Sequence, residues 1–170
     1  MLIKTILHQR SLVTEKTTTD YQQEFSRISG MISSAKTFTD WTELYRKLVF
    51  WEAELEKSSD SGMDEILKTQ ENEANNSFSK FIMSNYLNWL NTENNGPLLS
   101  PDLLAKKIFP LIQKNKSLFF ILIDNLRYDQ WKTISAELSG LYRIIDEDLY
   151  FSILPTATQF SRNSIFAGMM

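Results

Sequence analysis

The sequence contains no cysteine and a single histidine, His8. The lack of cysteine excludes a disulfide scaffold, a thiolate zinc finger, an iron–sulfur site and a cysteine nucleophile. One histidine excludes any metal site that needs two imidazoles from this chain, and it leaves His8 as the sole candidate for the base of a serine triad. Metal sites built from carboxylates remain compatible with these counts.

The sequence also lacks a strong charge of either sign and a long hydrophobic run. The 18 Lys and Arg residues against 21 Asp and Glu residues give a net charge of −3. This balance disfavours a protein that binds nucleic acid mainly by neutralising phosphates. The longest apolar run, residues 118–123, is far shorter than the roughly 20 residues of a membrane-spanning helix, and the first ten residues are too interrupted for a signal peptide. We therefore expect a cytoplasmic protein without membrane insertion.

The first half of the chain has the apolar spacing of successive amphipathic helices, with steps of three and four residues. The stripes consist of Tyr21, Phe25, Ile28 and Ile32; of Trp41, Leu44, Tyr45, Leu48, Trp51 and Leu55; and of Leu67, Ala74, Phe78, Phe81, Ile82, Tyr86, Trp89 and Leu90. Asp40 with Glu43 resembles a capping box at the start of the second stripe. Three such helices with short connections predict an antiparallel bundle over residues 16–91, in which the aromatic residues form the core.

Two segments beside this bundle are predicted to be irregular. Residues 11–20 are rich in Thr and Lys, which is typical of a hinge or a frayed helical extension. Residues 91–97 are dense in turn-forming residues, so a linker over 92–99 and a domain boundary are expected there.

The last part of the chain, residues 100–170, changes to a mixed periodicity. Ser100 and Pro101 predict the start of a helix, which Pro110 would kink or end. The following elements are predicted as a strand over 117–123, a helix over 127–138, a strand over 142–154 and a helix from residue 159. The first strand is apolar throughout, which is typical of a central strand in a parallel sheet. We therefore expect an α/β sheet, incomplete because two strands cannot cover it.

Binding sites of such sheets lie beyond the carboxyl ends of the strands. Asp124 follows the first predicted strand and can bind a divalent cation through oxygen. Thr156 and Thr158 follow the second strand and precede a helix, whose N-terminus favours negative charge. A hydroxyl bound to a metal can act as a nucleophile, so these residues are candidates for metal-assisted phosphoryl transfer. Their spacing alone favours the simpler interpretation that these residues cap helices. A single carboxylate ligand does not select a metal, because it suits magnesium or manganese as well as zinc.

Two segments of this part resemble the opening of a PglZ domain, which belongs to the alkaline phosphatase superfamily. They are residues 124–131, Asp-Asn-Leu-Arg-Tyr-Asp-Gln-Trp, and residues 154–170, which begin with Leu-Pro-Thr-Ala-Thr. The resemblance implies that Asp124 is a metal ligand and that Thr158 is both the catalytic nucleophile and a metal ligand, with Thr156 structural. It also implies zinc as the metal. The further Asp and His ligands of such a site are missing here, so this chain alone is expected to be inactive.

Residues 16–25, together with the bundle and the PglZ-like segments, resemble PorX-like response regulators of the type IX secretion system. These proteins join a receiver domain, a helical linker bundle and a PglZ phosphodiesterase domain. The resemblance implies that residues 1–15 are the end of a receiver helix and a hinge, and that residues 100–170 are the truncated N-terminal part of a PglZ domain. The chain is then an internal fragment of a larger protein.

The resemblance also predicts the activity of the complete protein and its interaction partners. The complete protein is expected to hydrolyse phosphoesters, cyclic oligonucleotides among them, and to have a histidine kinase, a sigma factor or the secretion motor as a partner. The alternative is a non-catalytic signalling or docking module, which relays phosphorylation of the receiver to a protein partner.

Overall fold

A computed structural model describes residues 2–58, 61–91, 96–114 and 117–169, and the side chains of residues 16–57, 62–91, 96–114 and 117–169. The chain divides into two compact units, Met1–Asn91 and Thr92–Met170. None of the helices in these ranges combines the length and the hydrophobicity that are needed to cross a membrane. The side chain of His8 and residues 92–95 of the predicted linker lie outside the described residues.

Among the described residues, three long helices form the first unit: α1, Leu2–Ser34; α2, Phe38–Ser58; and α3, Ser61–Asn91. Each of these helices packs against the other two. Glu24 on α1 pairs with Lys47 on α2, and the ring of Tyr21 packs on that of Trp51. Because the residue number falls on α1 as it rises on α2, these two helices are antiparallel. The predicted helical bundle is confirmed.

The apolar stripes form the core of this bundle. Its buried residues are Tyr21, Ile28, Ile32, Trp41, Leu44, Leu48, Trp51, Leu55, Leu67 and Ala74. Phe78 and Phe81 pack against this core, with ring centroids 5.3 and 5.9 Å from that of Trp41. Phe25 and Tyr45 belong to the predicted stripes but are 38% and 44% exposed. Most of the aromatic residues therefore act as core residues, as expected.

The start of α2 differs from the sequence prediction. The helix begins at Phe38, so its N-cap is Thr37 rather than Asp40. Thr37 Oγ1 accepts the N–H of Asp40 at 3.2 Å, and Asp40 Oδ2 accepts the N–H groups of Thr37 at 2.8 Å and of Lys36 at 2.9 Å. These backbone hydrogen bonds hold the pKa of Asp40 below its usual range. The capping box is therefore formed by Thr37 and Asp40, and the predicted box is wrong by three residues.

The first helix continues without a break through residues 11–20, where the sequence predicts a hinge or a frayed extension. In helix propensity, Thr and Lys are less favourable than the best helix formers by less than about 1 kcal/mol per residue. Such a small cost is overcome once one helix segment is fixed by packing. Tyr21 and Ile28 provide that fixed segment, because both are fully buried in the bundle.

The second unit is also helical. It contains a 3₁₀ turn over Ser100–Asp102, a π-helical turn over Leu104–Ile108, and the helices α4, Phe109–Lys114; α5, Tyr128–Leu138; and α6, Thr158–Ala167. Pro110 is the second residue of α4, where its missing N–H disrupts no hydrogen bond within that helix. Gly168 ends α6 with a φ of 65°, a conformation that glycine adopts without strain.

The predicted α/β sheet is wrong. Residues 117–123 and 142–154 contain no strand, and among the described residues the structure shows one isolated bridge, between Leu99 and Phe151. Phe119 is 91% exposed and Ile121 is 78% exposed, so the predicted burial of the apolar run is wrong as well. An apolar run of strand length becomes a strand only where a neighbouring segment supplies backbone hydrogen-bond partners. Residues 117–123 form no such ladder with the described chain.

Candidate functional site

Thr158, the predicted nucleophile, is the first residue of α6. The N-cap is Ala157, whose side chain forms no capping hydrogen bond. The carbonyl of Ala157 accepts the N–H groups of Phe160 at 2.9 Å and Ser161 at 3.0 Å. Neither Thr156 nor Thr158 is therefore the N-cap of this helix, and the interpretation that they only cap it is wrong.

Asp124, the predicted metal ligand, lies in a turn directly after the apolar run 117–123. The next residue, Asn125, has a φ of 56°, a left-handed conformation that Asn tolerates better than most residues. The N-cap of α5 is Arg127, whose N–H is bonded to Gln130 Oε1 at 3.0 Å. Asp124 is therefore not the cap of the following helix, which was the simpler interpretation of its position.

The structure brings Asp124 and Thr158 together although 34 residues separate them. Thr158 Oγ1 donates to Asp124 Oδ1 across 3.4 Å, which is long for a hydrogen bond between oxygen atoms. Nη1 of Arg162 lies 3.6 Å from Asp124 Oδ2. The hydroxyl and the guanidinium therefore approach the two oxygens of one carboxylate. The roles predicted for Asp124 and Thr158 remain predictions, since contact alone does not establish them.

Arg162 is a member of this cluster that the sequence analysis did not single out. It follows Thr158 by four residues, and side chains at this spacing are neighbours on a helix surface. Its side chain is 46% exposed and that of Asp124 is 49% exposed, so the cluster is open to solvent. The signal that could have found it is this i,i+4 spacing, together with the negative charge expected at Asp124.

The position of α6 is fixed by its packing within the second unit. The helix contacts the 3₁₀ turn over Ser100–Asp102. Ile165 is 2% exposed, and the hydroxyls of Ser152 and Ser161 lie 2.5 Å apart. Fully buried Ser100 accepts the N–H of Ile153 at 3.2 Å through its hydroxyl. The contacts of Ser161 and Ile165 therefore fix the position of α6. Its first two turns, which carry Thr158 and Arg162, lie at the surface.

The start of α5, four residues after Asp124, is fixed by Glu147. This carboxylate accepts Tyr128 Oη at 2.8 Å, Trp131 Nε1 at 2.8 Å and Lys132 Nζ at 3.3 Å. Burial raises the pKa of Glu147, but these three donors together outweigh burial and the pKa lies below its usual range. The helix that follows the Asp124 turn is therefore joined to the segment between α5 and α6.

Asp124 and Thr158 offer a divalent cation two oxygen ligands. Zinc in proteins is bound by four ligands and magnesium by six. Within the described ranges, no group of three or more His, Cys, Asp and Glu residues is placed to hold a metal ion. Arg162 adds a positive charge beside the second oxygen of Asp124. The ligand types suit a cation, but the described residues alone do not form a complete metal site.

Two family models match the chain, one after the other. Residues 11–90 match the PorX response regulator linker domain, and residues 103–170 match the BREX system PglZ alkaline phosphatase-like domain. No curated protein matches the chain. The two matches define a protein in which a response-regulator linker precedes an alkaline phosphatase-like domain, a family that suggests a metal-dependent enzyme. These two domain matches are those of a PorX-like protein with a PglZ domain, so the resemblance noted in the sequence is confirmed.

Proposed function

We propose that the complete protein hydrolyses phosphoesters as a metal-dependent phosphodiesterase or phosphatase, with cyclic oligonucleotides among its substrates. The observation that carries this proposal is the 3.4 Å contact between Thr158 Oγ1 and Asp124 Oδ1. Both residues lie in the part of the chain that matches the alkaline phosphatase-like domain. A hydroxyl beside a carboxylate at the start of a helix is a suitable arrangement for attack on phosphorus.

In this mechanism Thr158 is the nucleophile. Its Oγ1 forms a bond to phosphorus, the ester P–O bond breaks, and the hydroxyl proton ends on the leaving alcohol. Water then attacks the phosphothreonine, which releases the phosphate product and restores the hydroxyl. Asp124 orients the hydroxyl, and the N–H groups in the first turn of α6 favour the negative charge of the phosphoryl group.

The metal in this proposal is zinc, which Asp124 and Thr158 would help to hold as two of its ligands. A bound divalent cation supplies Lewis acidity and lowers the pKa of a coordinated hydroxyl. Because the described residues offer two oxygen ligands, the proposal requires further ligands in addition to them.

We further propose that the protein regulates type IX secretion in the cytoplasm. A histidine kinase would act upstream of it, and a sigma factor or the secretion motor would be its partner. The match of residues 11–90 to a response regulator linker supports this part of the proposal. The three-helix bundle is then the element that connects the phosphorylated receiver to the PglZ domain.

The test uses the full-length protein and a chromogenic phosphodiester, bis(p-nitrophenyl) phosphate. We expect Thr158→Ala to abolish hydrolysis with an unchanged circular dichroism spectrum, because no nucleophile remains. Thr156→Ala, two residues earlier, is the matched control and keeps its activity. A chelator should remove the activity, and zinc should restore it better than magnesium or manganese.

Full hydrolytic activity in the Thr158→Ala protein would show that the nucleophile is assigned wrongly. If neither the unaltered protein nor any variant hydrolyses phosphoesters, while Thr158→Ala keeps its effect on secretion, the alternative holds. The protein is then a non-catalytic signalling or docking module that relays receiver phosphorylation to a protein partner.

A further inference from the structure

Arg162 and Thr158 converge on one carboxylate in the second unit. Arg162 Nη1 lies 3.6 Å from Asp124 Oδ2, and Thr158 Oγ1 lies 3.4 Å from Asp124 Oδ1. Since the arginine follows the threonine by four residues on α6, the two side chains are neighbours on the helix surface. A phosphoryl group that reaches the hydroxyl of Thr158 therefore also comes within reach of the guanidinium.

The pairing of Arg162 with Asp124 is loose. Its distance of 3.6 Å exceeds the range of an N–H···O hydrogen bond, and the arginine side chain is 46% exposed. Arg127 shows the contrast within the same unit, because its Nε and Nη2 donate to the two oxygens of Asp129 at 3.0 and 2.5 Å. A guanidinium has five N–H donors in a planar fork. Arg162 therefore keeps donors for an additional anion, whereas Arg127 is held by a two-point ion pair.

A positive charge beside Asp124 favours the approach of a phosphoryl group, in addition to the charge of the metal in the proposed function. The carboxylate of Asp124 repels an anionic phosphoryl group that approaches Thr158, and this repulsion is strong at distances of a few ångströms. The guanidinium of Arg162 offsets it from the other side of the same carboxylate. Arginine also binds two phosphate oxygens at once, which fixes the orientation of the phosphoryl group as well as its position.

We infer that Arg162 is the substrate-binding residue that holds the phosphoryl group against Thr158. This inference rests on the proposed function and adds to it the residue that binds the substrate anion.

The experiment compares Arg162→Gln, Arg162→Lys and the control Arg143→Gln in the full-length protein. Arg143 is an exposed arginine of the same unit, so its variant removes one positive charge elsewhere. Hydrolysis of bis(p-nitrophenyl) phosphate gives kcat and KM, and titration with inorganic phosphate gives an affinity that does not depend on turnover. We expect Arg162→Gln to raise KM and the Kd for phosphate at least about tenfold. Arg162→Lys should recover part of this loss, and Arg143→Gln should change neither value.

The outcomes separate this inference from the proposed function. If Thr158→Ala abolishes hydrolysis while Arg162→Gln leaves KM and phosphate affinity unchanged, the role of Arg162 is refuted and the proposed function stands. A loss confined to kcat also refutes it, because the arginine then only positions Asp124. If the protein shows no hydrolysis but binds phosphate through Arg162, the anion-binding role of Arg162 stands and the proposed function fails. Absence of both hydrolysis and phosphate binding refutes both.

Discussion

Tyr21 on α1 donates a hydrogen bond of 2.9 Å from its hydroxyl to Oε1 of Gln70 on α3, inside the helical bundle. The amide nitrogen of Gln70 donates to the carbonyl of Phe25 at 2.9 Å and to the hydroxyl of Ser29 at 2.8 Å. Tyr21 is fully buried and Gln70 is 2% exposed. Burial, with a smaller contribution from the charge of Glu71, raises the pKa of Tyr21 to about 12. One polar side chain of α3 thus contacts two successive turns of α1 and fixes the register of the two helices.

The first prediction concerns this network. We expect Gln70→Leu to lower the free energy of unfolding by about 1–3 kcal/mol, because the hydroxyl of Tyr21 is left buried without its acceptor. Urea denaturation followed by circular dichroism measures the change. Gln22→Leu on the exposed side of α1 is the matched control, for which no loss above about 0.5 kcal/mol is expected. Equal effects of the two substitutions would show that the network does not stabilise the bundle.

The second prediction concerns the N-cap of α2. We expect Thr37→Ala to destabilise the first unit by about 1 kcal/mol, because the N–H of Asp40 loses the hydroxyl that accepts it. Thr39→Ala, two residues later and exposed, is the control that keeps the capping box. Thermal unfolding of both variants measures the difference. If Thr39→Ala costs as much as Thr37→Ala, the helix does not depend on the cap.

The third prediction is a dependence of stability on pH. Glu24 on α1 accepts Lys47 Nζ at 2.7 Å and Arg27 Nη1 at 3.2 Å, and the hydrogen bond from Lys47 is the main reason that the pKa of Glu24 is lowered. A carboxylate with a lowered folded-state pKa stabilises the fold above its unfolded-state pKa. This stabilisation is lost as the pH falls through the folded-state pKa.

We therefore expect Glu24→Gln to lower the free energy of unfolding by up to about 1 kcal/mol at neutral pH. The difference from the unaltered protein should shrink as the pH falls below the ordinary pKa of a glutamate, and it should vanish once the pH lies below the lowered pKa of Glu24. Glu43→Gln, an exposed change on α2, is the control. Urea denaturation at several pH values gives the differences, and a difference that stays constant with pH would contradict the prediction.

The fourth prediction concerns Glu147. We expect Glu147→Gln to destabilise the second unit by about 1–2 kcal/mol, because the amide has one acceptor oxygen where the carboxylate has two and loses the charge that pairs with Lys132. The pKa of Glu147 is lowered, so its stabilising effect should also disappear in acid. Glu137→Gln, on the exposed surface of α5, is the control. Hydrogen exchange of the α5 amides measures the loss, and equal protection in both variants would exclude this role.

Local patterns predicted the bundle well, whereas features that depend on distant partners were missed or misplaced. The apolar spacing identified α2 and α3 because a helix that packs on one face needs apolar residues at steps of three and four. Gln70 was missed although it lies three residues after Leu67 and four before Ala74, within the same stripe. A polar residue at such a position has to find partners on another helix, and the spacing does not reveal which ones.

The second unit was predicted less well because strand formation depends on non-local pairing. Residues 117–123 have the composition of a buried strand but form no ladder with the described residues. Asp124 and Thr158 were nevertheless expected near each other, and they lie in contact. That expectation came from strand ends that the structure does not contain and from the motifs of the PglZ domain. Of these two grounds only the motifs remain, and the 3.4 Å contact between the two side chains now adds to them.

The hydrogen bond between Trp131 and Glu147 gives the second unit its own optical reporter. The chain has four tryptophans, and Trp41, Trp51 and Trp89 belong to the first unit. Replacing those three by phenylalanine would leave one indole, whose N–H donates to the carboxylate at 2.8 Å. The emission wavelength and quenching of this indole would then follow the detachment of α5 from the segment that leads to α6. The bundle, without tryptophan, would contribute no tryptophan emission.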